Sequence, residues 1–346
     1  MTKTISGLLL LALLAAQTAR GAEPQELWRD YKSGIVSPDG RVIDHYQDKA
    51  SHSEGQGYGL LLAVAFDDKP TFDRIWLWTK DNLDHREDGL FAWLWGLRKT
   101  GAWGLIDPNN ATDGDILIAM ALLKADRKWG GGDYRARAVE TVVAMRKNLT
   151  LTHRGRRYLL PSYYGFNHWA GPVVNPSYQI FSAFRLFATV DDRDYWEKMY
   201  LDSVDLVARS CLGILCLPAD WEILDGDEVI LHGDMKPHFG YNAVRTLLYL
   251  TTEPQASLPK GTGKLLDGYE KGGYLPLYVD LEDDTVSLKK ASAGMYAVYG
   301  RAARKAGRVK LADRIMAEAE RMIAADKESY YSFTLYLLSV APGALE

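Results

Sequence analysis

The chain has 346 residues, 47% hydrophobic and 25% charged. That is the make-up of a folded globular protein and excludes disordered, collagenous and low-complexity classes. Lys plus Arg number 41 against 45 Asp plus Glu, a formal net charge of −4, so no global attraction to nucleic acid or to an anionic membrane is expected.

Residues 1–21 read as a secretory signal peptide. Lys3 supplies the positive start and Ile5–Ala16 an apolar run too short to span a bilayer comfortably. Ala19-Arg20-Gly21 then places small residues at the −3 and −1 positions of a cleavage site. A retained anchor is the alternative. Residues 22–346 would form the mature chain, periplasmic or secreted, with no stable membrane insertion.

Helical patterns dominate the mature chain. Gly57–Phe66 is small and apolar, as in a buried helix, and Thr71–Leu83 is amphipathic. The i, i+3, i+4 pattern recurs over Asp113–Ala125, Tyr134–Asn148, Pro176–Ala188, Tyr195–Ser210, Asn242–Leu250, Ser292–Ala306 and Val309–Ala325, and a last apolar helix covers Tyr330–Leu338. Strand signals are few: Val173-Val174 and Val229-Ile230-Leu231 suit two hairpin arms, with Asp225-Gly226-Asp227 as a turn. Long loops cover Pro161–Pro176 and Leu217–Tyr241. No linker divides the chain. The pattern predicts an all-α fold of paired helices in a single domain, with loops on one face building a site.

Cys211 and Cys216 are the two cysteines. In an oxidising compartment their spacing predicts a disulfide closing a small turn around Gly213, with two buried thiols as the alternative. They lack a matching His pair, so no zinc site, and no other metal, is expected. Tyr (20) and Trp (10) are abundant. Their flat faces stack on sugar rings and equally fill a large core.

Three stretches carry candidate chemistry. In His52-Ser53-Glu54-Gly55-Gln56-Gly57-Tyr58-Gly59, Glu54 stands just ahead of an apolar helix, where Ser53 or Glu54 suits a cap. Desolvation beside that helix would raise the pKa of Glu54, which suits a proton donor and equally accompanies an ordinary cap. In Asn109-Asn110-Ala111-Thr112-Asp113-Gly114-Asp115, Thr112 or Asp113 suits a cap and Asp115 complements the helix dipole. In His238-Phe239-Gly240-Tyr241-Asn242-Ala243-Val244-Arg245, Asn242 and Arg245 share one face of a helix start, and Arg245 suits orientation of a carboxylate or of sugar hydroxyls. No Gly-x-Ser-x-Gly elbow and no zincin spacing is present. Carboxylate chemistry without a metal or cofactor is the economical reading.

Together these stretches resemble glycoside hydrolase family 8, from about Trp28 to Leu338. Ser-Glu-Gly-Gln-Gly-Tyr-Gly resembles the family's acid segment. Ala111-Thr112-Asp113-Gly114-Asp115, with Ile118-Ala119, Ala121, Leu122-Leu123, Ala125 and Trp129, follows its signature. The size, the signal and HFGYNAVR are most similar to periplasmic endoglucanases linked to bacterial cellulose synthesis, of the rhizobial type. The resemblance implies an (α/α)6 barrel with an open groove for a β-1,4-glucan and an inverting mechanism. It implies Glu54 as general acid, Asp113 gripping and distorting the sugar at the cleavage point or serving as nucleophile, and Tyr178 near the attacking water. Trp93 matches a sugar-stacking position; Trp221, Tyr58, Tyr241 and Arg245 complete the expected substrate-binding set. A cellulose synthase complex is an implied partner, and the chain is expected to be a monomer. Chitosan or mixed-linkage β-glucan are alternative substrates. Asn242 departs from the family, where an Asp serves as base. Asp113 or a carboxylate among Asp220, Glu222, Asp225, Asp227, Glu228 and Asp234 would then replace it, or the protein is a weakly active or non-hydrolytic glucan-binding component of an export system.

Overall fold

The computed structural model describes residues 23–346, so the expected signal peptide lies outside the described residues. Among these residues there are twelve helices, in chain order α1 (Pro24–Ile35), α2 (Ser53–Ala65), α3 (Lys69–Leu83), α4 (Thr112–Trp129), α5 (Tyr134–Asn148), α6 (Phe181–Phe187), α7 (Arg193–Arg209), α8 (Val244–Leu250), α9 (Gly261–Gly272), α10 (Ala293–Lys305), α11 (Val309–Ala325) and α12 (Tyr330–Val340). None is long and apolar enough to cross a membrane.

Burial explains their arrangement. Helices α2, α4, α8, α10 and α12 are buried on nearly every side, as befits helices without a polar face. With α6 they close a ring: α2 packs on α4, α4 on α6, α6 on α8, α8 on α10, α10 on α12, and α12 back on α2. The outer helices lie against this ring, α3 on α2, α5 on α4, α7 on α6, α9 and α11 on α10, and α1 on α12. Helix α11 turns Leu311, Ala312, Ile315, Ala319 and Ile323 inward, one apolar stripe with polar residues opposite. The all-α expectation holds: this is an (α/α)6 barrel, and its apolar side chains form one main core cluster.

Eleven short strands lie in the connections: β1 (Ser51–His52), β2 (Leu94–Leu97), β3 (Trp103–Asp107), β4 (Thr150–His153), β5 (Arg156–Leu159), β6 (Asn167–His168), β7 (Gly171–Val174), β8 (Glu222–Asp225), β9 (Glu228–Leu231), β10 (His238–Phe239) and β11 (Val279–Asp280). The antiparallel sheet β6-β7-β8-β9 corrects the expected hairpin. Val173 pairs with Ile223, and Ile223 with Ile230, so β8 lies between the two proposed arms. The turn at Asp225–Asp227 is where it was expected, joining β8 to β9.

Other boundaries also differ. Helix α2 begins at Ser53 with His52 as its cap residue, so Glu54 lies in the first turn and neither Ser53 nor Glu54 caps it. Ala111, not Thr112 or Asp113, is the cap residue of α4. The expected helix over Pro176–Ala188 is split: a 3₁₀ turn at Pro176–Tyr178, started by Asn175 accepting from the Ser177 N–H, precedes α6. Cys211 and Cys216 are joined in a disulfide.

Candidate active site

Two helix starts meet at the centre of one barrel end. Helices α2 and α4 approach so closely that a Cβ on Gly114 would lie 2.1 Å from Ser53 Oγ and 2.9 Å from the Glu54 nitrogen. A residue without a side chain is therefore required there. The contact sets Glu54 and Asp113 side by side.

Arg245, in the first turn of α8, lies beneath both. Its side chain is buried, and Nη1 donates to Glu54 Oε2 and, at 2.9 Å, to Asp113 Oδ2. Nη2 donates to Asn242 Oδ1 at 2.7 Å. Tyr330 of α12 donates to Glu54 Oε1 at 2.9 Å. Tyr58 is fully buried under the guanidinium, 3.4 Å from Nη1, and its hydroxyl meets that of Tyr249 at 2.7 Å.

One guanidinium offsets one of the two carboxylate charges. Burial and the neighbouring Glu54 charge push Asp113 up to about 7. Burial also acts to raise Glu54, but Arg245 and the hydrogen bonds from its neighbours outweigh it and hold Glu54 below the ordinary carboxylate range. The pair thus keeps one proton below about pH 7, resting on Asp113. This corrects the expectation that the apolar helix alone raises Glu54: the buried cation decides.

The connections build a groove over this pair. Strand β1 runs into α2 and pairs with β2, so Trp93, just ahead of β2, stacks on His52 with ring centroids 5.9 Å apart. Asp107 fixes the indole, accepting from Nε1 at 2.8 Å. Asp115, expected to complement a helix dipole, instead accepts from the Phe91 N–H and from Asn110, both at 2.8 Å, and so secures the segment that carries Trp93. Across the groove Tyr178 faces Asp113, and Trp221 packs edge-on to Tyr178 and stacks on Phe166. Three adjoining lobes measure about 910, 400 and 170 Å³. Tyr241 and Asn242 border the two larger lobes; His52 and Glu54 border the two smaller ones.

The expected residues therefore fall into two groups. Glu54, Asp113, Tyr178, Trp93, Asn242, Trp221 and Tyr241 line the groove. Tyr58 and Arg245 do not: both are buried behind the carboxylates, which corrects their assignment to substrate contact. Among the carboxylates considered in place of Asn242, Glu222 is fully buried on Ser210 and the Ala219 N–H. Asp225, Asp227 and Glu228 are exposed around the β8–β9 turn, and Asp234 is exposed beside His168. Only Asp220 of that set borders the groove. Sequence reasoning missed Tyr330 and gave His52 no role.

The family model for glycosyl hydrolases family 8 matches residues 1–342. The chain belongs to this family. It is a glycoside hydrolase. It is 33% identical to an endoglucanase of Cellulomonas uda over 276 residues, 79% of this chain and 76% of that protein. The backbone matches endoglucanase Cel10 of Klebsiella pneumoniae with a TM-score of 0.81 at 31% identity, covering 92% of this chain and 99% of that one. It matches the endo-β-1,4-glucanase CMCax of Acetobacter xylinum with a TM-score of 0.79 at 27% identity, covering 91% and 96%. The family 8 relatives share the barrel described above, and Glu54 and Asp113 stand at its open end.

Proposed function

We propose that this family 8 hydrolase is an exported endo-β-1,4-glucanase, a single catalytic domain over residues 22–346 that cleaves cellulose or a related glucan with inversion. The observation that carries the reading is the carboxylate pair sharing Arg245 at the floor of an open, aromatic-walled groove. The endoglucanases among its relatives support the substrate class. The signal-like start and the Cys211–Cys216 bond support export. A role beside a cellulose synthase is part of the same proposal.

In this mechanism Trp93, Trp221 and Tyr241 present flat faces to successive sugar rings. The pair's proton moves from Asp113 to Glu54 as the glucan displaces water. Glu54 then protonates the leaving glycosidic oxygen, and Asp113, now anionic beside Arg245, grips the ring at the cleavage point. Asp113 is a poor nucleophile: it is buried, it holds the proton in the resting state, and Arg245 and the Gly114 N–H occupy its oxygens. That favours direct attack by water near Tyr178.

Glu54→Gln keeps the shape of the side chain and removes the donated proton. Turnover of soluble cellulose should fall by about 10²–10⁴ while cello-oligosaccharide binding persists. Near-normal turnover would reject the assignment. Running chitosan and mixed-linkage β-glucan alongside fixes the substrate class.

A further inference from the structure

An inverting hydrolysis needs a base about 6.5–9.5 Å from the acid, across the cleavage point, to take a proton from the attacking water. Asn242 cannot be that base. Its Oδ1 accepts from Arg245, which only donates, and this fixes the amide so that Nδ2 is directed elsewhere. An amide NH₂ donates to a water and takes no proton from it.

Among the described residues, four carboxylates border the groove: Asp44, Glu54, Asp113 and Asp220. Asp44 has both oxygens engaged, by the Tyr46 N–H at 3.0 Å and by Gln47 Nε2 at 2.9 Å. Asp113 hangs on the same guanidinium nitrogen as Glu54, which brings the two closer than inverting spacing. Asp220 differs from both. Its Oδ1 accepts three backbone N–H groups, from Gly240 at 3.1 Å, Asn242 at 3.0 Å and Ala243 at 2.7 Å. These set the plane of the carboxylate, and Oδ2 takes no part in them. Oδ2 sits over Gly240, where a Cβ would approach to 2.8 Å, so the glycine clears its place. Asp220 borders the largest lobe and Glu54 the next, with Asn242 between them.

We propose that Asp220 Oδ2 is the acceptor of the water's proton, with Asn242 Nδ2 orienting that water. The assignment rests on the endoglucanase reading above. In the step, the water oxygen bonds to the anomeric carbon and the bond from that carbon to the glycosidic oxygen breaks. The leaving oxygen takes the proton of Glu54, and the water's proton passes to Asp220. One water is added in all, and exchange with solvent restores both carboxyl groups.

Asp220→Asn keeps an oxygen for the three N–H groups and replaces only Oδ2. Its kcat on cellopentaose should drop by about 10²–10⁴ with little change in KM. In Asp220→Ala, azide needs no base and should yield an α-glycosyl azide. That product supports the assignment even if Asp220→Asn also lowers the melting temperature. Asp220→Asn turnover close to wild type, or no α-azide from Asp220→Ala, overturns it. An active wild type with an equally active Asp220→Asn defeats this assignment alone, whereas a wild type without turnover on any glucan defeats the endoglucanase reading and this assignment with it.

Discussion

Glu54 and Asp113 stand in the first turns of two packed barrel helices, whereas Asp220 and Trp221 stand in the loop between the disulfide-closed turn and β8. On the helical wall a guanidinium and a tyrosine hydroxyl hold the carboxylates, and one charge is offset by another. On the loop wall backbone N–H groups hold the carboxylate, and burial against those bonds pushes Asp220 up to about 6. The contrast teaches how one groove makes a proton holder and a proton taker from the same functional group. A shared cation leaves one proton between two carboxyls, while a single carboxylate beside an amide titrates alone.

The comparison can be broken at its cation. Arg245→Met leaves buried carboxyl groups without their counter-charge. Removing one member of a buried ion pair costs about 3–5 kcal/mol, to be read as a lower denaturant midpoint at unchanged slope. An unchanged midpoint would mean that the guanidinium does not hold the helical wall together.

A smaller effect is expected at the contact that sets the pair. In Gly114→Ala the new methyl meets Ser53 Oγ and the Glu54 nitrogen, so α2 must shift. Overpacking of this kind costs about 1–3 kcal/mol, and turnover should fall along with the melting temperature. Full activity would show that the carboxylates tolerate a looser helix contact.

A pH-dependent effect sharpens the comparison from behind the loop wall. Burial raises Glu222 to about 8, against bonds from Ser210 and the Ala219 N–H. Its folded-state pKa exceeds the unfolded value of about 4.3. The stabilisation from its bound proton is therefore complete below that value and is lost as pH rises towards 8. Thermal melts from pH 5 to 8 should decline, and Glu222→Gln should flatten the decline. An equal slope in the variant would locate the dependence elsewhere.

Much of the barrel is legible in the sequence because outer helices carry a stripe. The expected bounds Tyr134–Asn148 and Val309–Ala325 coincide with those of α5 and α11. Inner helices lack a polar face, so periodicity does not mark where they begin, and the first turn of α2 falls outside the expected helix. Helix α9 escapes because its glycines break the pattern, and strands of two to five residues are too short to show alternation. At the site, Glu54, Asp113 and Trp93 are readable from motifs. The partners that decide the charge are not: Arg245 is 191 residues from Glu54 and Tyr330 is 276 away. Only the closing of the helix ring brings them together. Tyr58 misleads because a tyrosine one turn beyond Glu54 reads alike as groove lining or as support beneath it.

The most direct test is a carboxyl ¹³C NMR titration of the ligand-free protein, with Glu54→Gln and Asp113→Asn used to assign the two resonances. One member of the pair should stay protonated until about pH 7 while the other is ionised below the usual glutamate value. Two carboxylates both ionised by pH 5 would contradict the shared proton on which the mechanism stands.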